Sequence, residues 1–198
     1  MNIGDKMKKI NIAILTLLLS LCFTPQQLAG AFIFQAKAGI SLGYYYPSDS
    51  VFKDVYGSGN LMFAGSASLD LTKKLEIKAE YNLFRDKGEM TITEEELTFS
   101  INTVLLGIRY NIFKSKNLNP YLGAGVDFIS YKEDYPERFE DVSDSCTGFH
   151  VEVGNYFSIG RKFHLDLNLR YIKADAEPFE EELGLGGIRF GIGIEFLF

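Results

Sequence analysis

Gly187-Ile-Arg-Phe-Gly-Ile-Gly-Ile-Glu-Phe-Leu-Phe198 closes the chain, and its alternation decides the fold. On a strand, Ile188, Phe190, Ile192, Ile194, Phe196 and Phe198 share one face. Gly187, Arg189, Gly191, Gly193, Glu195 and Leu197 share the other. A soluble sandwich could use the apolar face, but such a fold rarely ends its chain on the last aromatic of a core strand. The second face sets Arg and Glu among glycines, which suits a narrow polar interior. Apolar outward and polar inward is the pattern of a transmembrane β-barrel strand.

The start of the chain reads differently. Lys6, Lys8 and Lys9 precede an apolar segment, Ile10 to Phe23, that is too short to span a bilayer as a helix. Ala29-Gly30-Ala31 offers small residues at a cleavage site, so residues 1–31 are expected to be a signal peptide and 32–198 the barrel domain. A lipoprotein anchor at Cys22 is disfavoured by the bulky Leu21 before it. Removing the segment, with its three lysines and Asp5, takes the net charge from -6 to -8, which argues against a nucleic-acid partner. Cys146 is then the only cysteine, so no internal disulfide is expected. After residue 31 no apolar run is long enough for a spanning helix. A membrane location therefore requires a closed barrel, in which every backbone group is satisfied.

Eight strands are expected, in an all-β, antiparallel, up-and-down barrel. The clearest, Leu75 to Phe84, sets Leu75, Ile77, Ala79, Tyr81 and Leu83 against Glu76, Lys78, Glu80 and Asn82. Comparable alternation runs through Phe34–Tyr46, Leu61–Leu71, Tyr121–Tyr131, Gly148–Ile159 and His164–Ala174, although Asn155 interrupts the apolar face of the sixth strand. The fourth, Leu97–Phe113, changes phase: Leu97, Phe99 and Ile101 have one parity, Val104, Leu106, Ile108 and Tyr110 the other. That implies either a bulge near Thr103 or an upper half that rises beyond the membrane. Thr72–Lys74, Lys114–Pro120 and Gly160–Lys162 are short, basic connections. Pro47–Asn60, Arg85–Glu96, Lys132–Cys146 and Asp175–Gly186 are long, and the last three are acidic. Short periplasmic turns opposite long extracellular loops fit an outer-membrane barrel. Tyr44, Tyr46, Phe128 and Tyr171 are expected at the outer rim, and Tyr110, Phe113, Phe157 and Phe198 at the inner one.

Asn119-Pro-Tyr-Leu-Gly-Ala-Gly-Val-Asp-Phe128 resembles the fifth-strand phrase of the small outer-membrane barrel superfamily of OmpA, OmpX, OmpW and opacity-type proteins. Leu106-Gly-Ile-Arg-Tyr110 and the ending Gly193, Phe196, Phe198 resemble that family too, across essentially all of residues 32–198. The resemblance implies location in the bacterial outer membrane. It also implies that the barrel-assembly machinery reads the terminal strand, ending in Phe198. With no peptidoglycan-binding domain read after the barrel, as there is in OmpA itself, that anchoring role is not expected.

In this register Lys37, Lys78, Arg109, Arg170 and Arg189 point inward with Asp70, Glu76, Glu80, Asp127, Glu152, Asp166 and Glu195. Eight strands leave room inside only for side chains or a small ligand, so these charges should pair and plug the lumen. Small barrels of this resemblance include lipid A deacylases with a His followed two residues later by Ser. Here His150 is followed by Glu152 and His164 by Asp166. His150 remains the only plausible catalytic histidine, with Asp127 and Glu152 as neighbours and Ser130 as the nearest nucleophile. Gly123-Ala-Gly125 lacks the third glycine of a dinucleotide loop. Cys146 has nothing basic beside it to activate the thiol. No catalytic, cofactor-binding or metal-ligating residue is assigned, and no enzyme activity is expected.

The loops carry the rest of the signal. Glu94–Glu96, then Glu133, Asp134, Glu137, Glu140, Asp141 and Asp144, then Asp175, Glu177 and Glu180–Glu182 crowd the second, third and fourth, with Phe139, Phe179 and Leu183 among them. Such density could hold divalent cations that bridge to lipopolysaccharide phosphates, or attract an extracellular ligand, although no calcium-loop motif is present. The expected function is structural or interactive: envelope integrity, adhesion or surface binding, not general porin activity. The alternatives are an OmpW-like conduit for small apolar molecules, against which the charged interior argues, and a lipid A-modifying enzyme.

Overall fold

A computed structural model of the protein describes residues 34–89, 96–113, 115, 117–134, 142–176 and 183–198. The expected signal segment lies outside them. In chain order the elements are β1 (Gln35–Pro47), α1 (Ser50–Tyr56), β2 (Asn60–Asp70), β3 (Leu75–Glu89), β4 (Glu96–Asn111) and β5 (Asn119–Asp134). They continue with β6 (Val142–Ile159), β7 (Phe163–Lys173), the short β8 (Asp175–Ala176) and β9 (Leu183–Gly184), and β10 (Gly187–Leu197). Eight strands close into one barrel by antiparallel neighbours, with β10 sealing against β1, while β8 and β9 pair separately above the rim.

The register fixes the barrel's proportions. Partners traced from Tyr45 through Arg189, Arg170, Glu152, Gly123, Arg109, Glu76 and Asp70 return to Gln35, a stagger of ten residues along β1. With ordinary strand rise and spacing, that stagger over eight strands tilts them by about 40°. At this tilt the stretch from exposed Phe34 to exposed Tyr44 rises about 25 Å, the height of an outer-membrane apolar band. Tyr46, Phe128 and Tyr171 are exposed with Tyr44 near one end, and Tyr110, Phe113 and Phe198 near the other; Phe157 is half-buried. Among the described residues no helix is long and apolar enough to cross a membrane.

β4 contains no bulge. It pairs without interruption with β3 from Leu75↔Tyr110 to Glu89↔Glu96, and with β5 from Asn111↔Tyr121 to Thr98↔Asp134. Its change of phase is an exchange of the two faces. Leu106, Ile108 and Tyr110 point outward to lipid, with Val104 buried on the same parity, and above them Leu97, Phe99 and Ile101 point inward. β3 does the same: outward Leu83 gives way to exposed Arg85 and Lys87, while inward Phe84 replaces the charges below it. Where the wall leaves the membrane, water faces its outside, so apolar residues must turn inward or go unburied. The extended hairpins also shorten the loops, since β3, β5 and β6 reach Glu89, Asp134 and back to Val142.

The inward apolar residues need a partner, and α1 supplies it. Within the Pro47–Asn60 connection, expected to be a plain loop, Asp49 caps a short helix by accepting from the Phe52 amide at 3.1 Å. Gly57 at φ 85° ends it. Phe52 and Tyr56, one turn apart, drop into the barrel mouth against Phe99, each with ring centroids 5.0 Å away. Tyr45, Met62, Phe84, Leu97, Ile101, Ile129, Tyr131 and Ile172 join the buried cluster, with Ala174, Ala176 and Leu185 above them, and Cys146 packs half-buried on its edge. Gly88 makes room for the helix: a Cβ there would lie 2.8 Å from both the Tyr56 ring and the Val55 carbonyl.

Candidate functional site

Below this apolar cap the lumen is filled by ionic side chains, all twelve of those expected to point inward. Nearest the periplasm, Lys37 Nζ sits 2.9 Å from Asp70 Oδ1 and 2.6 Å from Glu76 Oε2. Lys78 Nζ lies 3.0 Å from Glu195 Oε1, 3.5 Å from Glu80 and 3.6 Å from Asp166. Arg109 grips Glu152 with both arms, Nε to Oε1 at 2.6 Å and Nη2 to Oε2 at 3.0 Å, and reaches Asp166 at 3.3 Å. Its guanidinium also donates to the Tyr156 hydroxyl and lies 4.2 Å over the Tyr121 ring. The two hydroxyls pass hydrogen bonds on, Tyr121 to Asp166 at 2.7 Å and Tyr156 to Glu76 at 2.9 Å.

One layer higher, Arg170 bridges Glu80 at 2.7 Å and Glu152 at 3.0 Å. Arg189 meets Glu80 only at 3.5 Å and donates to Ser41 Oγ at 2.9 Å. Inward carboxylates outnumber the cations, and His150 enters beside the surplus with Nδ1 3.1 Å from Asp127 Oδ2. An ionised carboxylate can only accept, so opposite it Nδ1 is the nitrogen that donates. The ring fits because its wall is backbone: a Cβ on Gly125 would stand 2.5 Å from His150 Cε1 and 2.2 Å from the Leu106 carbonyl.

The constellation that seemed open to catalysis is divided by this arrangement. Asp127 does join His150, but Glu152 is held by Arg109 and Arg170. Ser130 shares the outward parity of Phe128, across the wall from inward His150. Among the described residues no group of His, Cys, Asp and Glu is arranged to hold a metal ion. Of the acidic loop residues, Glu133 belongs to β5 and accepts from the Tyr56 hydroxyl, fastening α1 rather than facing a ligand. Asp134 and Asp144 stand on β5 and β6, and Asp175 on β8. Glu94, Glu95, Glu137, Phe139, Glu140, Asp141, Glu177, Phe179 and Glu180–Glu182 lie outside the described residues. What the residue pattern left unread was α1, and its signal is the Asp49 cap ahead of Phe52 and Tyr56.

A closed eight-stranded wall with lipid-facing apolar residues and a filled polar lumen defines a small outer-membrane barrel. Residues 14–196 match the outer membrane protein beta-barrel domain family, and the chain belongs to that family. It is a protein of the bacterial outer membrane. Its backbone is similar to OprG of Pseudomonas aeruginosa, with TM-score 0.68 at 12% identity over 87% of this chain and 99% of that one. Neisserial surface protein A gives 0.57 at 16% over 83% and 97%. The barrel domain of Pseudomonas aeruginosa OprF gives 0.56 at 16% over 83% and 97%. No curated protein sequence matches the chain. At these identities the likeness is one of fold.

Proposed function

We propose that the protein is a sealed barrel that acts through its surface, in envelope structure, adhesion or surface binding, and does neither catalysis nor general diffusion. The observation that carries this reading is the filled lumen. An ion entering from the periplasm meets Lys37, Glu76 and Arg109 already neutralised by one another, and above them a cap of Phe52, Tyr56 and Phe99. Separating buried pairs to open a path costs several kcal/mol per ion, so a resting pore does not form. Single-channel recording in planar bilayers tests this: the folded protein is expected to insert without steady conductance, and a stable open level would sink the reading. On the outside, the acidic loops would engage lipopolysaccharide phosphates through divalent cations or a cationic extracellular ligand, and the terminal strand would present Phe198 to the assembly machinery.

A second reading, a conduit for small apolar molecules, is favoured by one observation: the upper lumen is apolar. A molecule admitted past α1 would find Met62, Phe84, Ile101 and Ile172, with ionic layers beneath it. It would have to leave sideways through the wall. Uptake of a small apolar dye by protein-loaded vesicles, compared with empty ones, separates the two readings.

A further inference from the structure

One lipid-facing side chain does not fit its surroundings. Asn155 lies on the outward parity of β6 with exposed Val153 and Ile159, inside the apolar band. Four residues of tilted strand place it about 10 Å above Ile159, which stands at the periplasmic edge of that band. Neither atom of its carboxamide has a hydrogen-bond partner, and neither is open to solvent. The residues paired with it offer none: Pro120 on β5 has no N–H, and Leu167 on β7 is apolar. Asn102, of the same parity at the upper edge, is by contrast engaged by the Tyr81 hydroxyl at 3.3 Å. Lipid tails carry no donor or acceptor, so at the depth of Asn155 a partner for the amide has to come from protein.

We propose that Asn155 marks the contact between two copies of this barrel, packed side by side about a two-fold axis along the membrane normal. Both copies enter the outer membrane in one orientation, so this is the two-fold that the bilayer permits. It keeps every residue at its own depth, and a residue on the axis meets itself. A carboxamide suits that position because it is both donor and acceptor: Nδ2 of each copy donates to Oδ1 of the other, and all four groups are satisfied. The residue is half-buried, and rotation about χ1 brings its amide out to meet its counterpart. The wall above it follows the axis. Two residues up β6 and one strand across lead from Asn155 to Leu169, the sideways shifts nearly cancelling at a tilt of about 40°. The same step from Leu169, through Tyr171, leads to Ile188 on β10. Leu169 and Ile188 are both exposed. An apolar wall gains little by exchanging lipid for protein, so the paired amides supply the preference for this face. The contact lies outside the lumen and holds whether the barrel is sealed or conducts.

Sedimentation equilibrium in density-matched micelles measures the association, with heat-modifiable mobility as the check on folding. Wild type is expected to be a mixture of monomer and dimer. Asn155→Leu, which replaces the amide by an apolar group of similar size, should fold as well and lower the association constant roughly tenfold. Asn155→Gln, which keeps a carboxamide, should retain most of the association. The face is located in outer membranes of expressing cells treated with a membrane-permeant copper oxidant. In a Cys146→Ser chain, Leu169→Cys should give a disulfide-linked dimer, and Phe63→Cys, exposed on β2 across the barrel, should not. Adding Asn155→Leu should reduce the Leu169→Cys product. A monomeric wild type, association indifferent to Asn155→Leu, or cross-linking at Phe63→Cys but not at Leu169→Cys each overturns the proposal. So does a Leu169→Cys adduct with an unrelated protein in place of the dimer, since the occupant would then be another partner. If Asn155→Leu does not fold, Asn155→Val is read in the same two assays.

Discussion

Arg109 and Gly125 show how a single residue holds the lumen. Arg109 is fully buried, with Glu152 gripped at two points and Asp166 within 3.3 Å. Replacing it by Leu leaves both carboxylates short of a cation, and the expected loss is about 3–5 kcal/mol. Glu152→Leu added to Arg109→Leu should cost less than the two losses summed, since Arg170 keeps Glu80 and Asp166 keeps Lys78. Urea unfolding from lipid vesicles, followed by circular dichroism, measures both. Two glycines make a second, opposed pair. Gly125→Ala drives a methyl into the Leu106 carbonyl and the His150 ring and should destabilise by about 1–3 kcal/mol. Gly65→Ala points into open space and should stay within about 0.5 kcal/mol of wild type. If the two cost the same, the close approach at His150 does not carry the argument.

At the scale of an element, α1 stands or falls by its attachments rather than by its own seven residues, too few for a helix to persist alone. Asp49 makes two of them, with Oδ1 to the Phe52 amide and Oδ2 to the Gly184 amide, both at 3.1 Å. Asp49→Ala removes both and should cost about 1–2 kcal/mol of local stability. The loss should appear as faster amide exchange in α1 and in β9, with the barrel strands unchanged. Loss of protection throughout the barrel would mean that the helix is part of the global fold, not a cap on it. This element also marks the limit of the residue pattern. The strands were legible because period-2 alternation between lipid and a charged lumen is a long, repeated signal; it gave twelve of the inward charges and missed Asp86, which is buried higher on β3. α1 has one turn's worth of pattern, and its meaning depends on Phe99 and Tyr131 being inward, which the phase change in β4 left open between two explanations. The pairing register decides it. The exchange of faces needs the location of the membrane edge, information carried jointly by β3, β4 and β5 and by none of them alone.

For the whole molecule, closure is the property that matters, and it depends on the last strand. β10 pairs with β1 from Lys37↔Leu197 to Pro47↔Gly187, so the barrel cannot shut until the end of the chain has arrived. Phe198 adds little to the finished wall: its amide donates to the Ala36 carbonyl at 3.0 Å, and its ring, exposed to lipid, touches Phe196 edge-on at 5.1 Å. An aromatic that contributes so little to the closed state fits the role proposed for it before closure, as the residue presented to the assembly machinery. Deleting Phe198 is therefore expected to leave stability in synthetic vesicles within about 1 kcal/mol of wild type, the worth of one exposed hydrogen bond and ring contact. In cells the same deletion should sharply reduce the heat-modifiable, folded form in the outer membrane. The two measurements belong together. A large loss in vesicles would assign Phe198 to the fold, and undiminished assembly in cells would remove it from the signal that the machinery recognises.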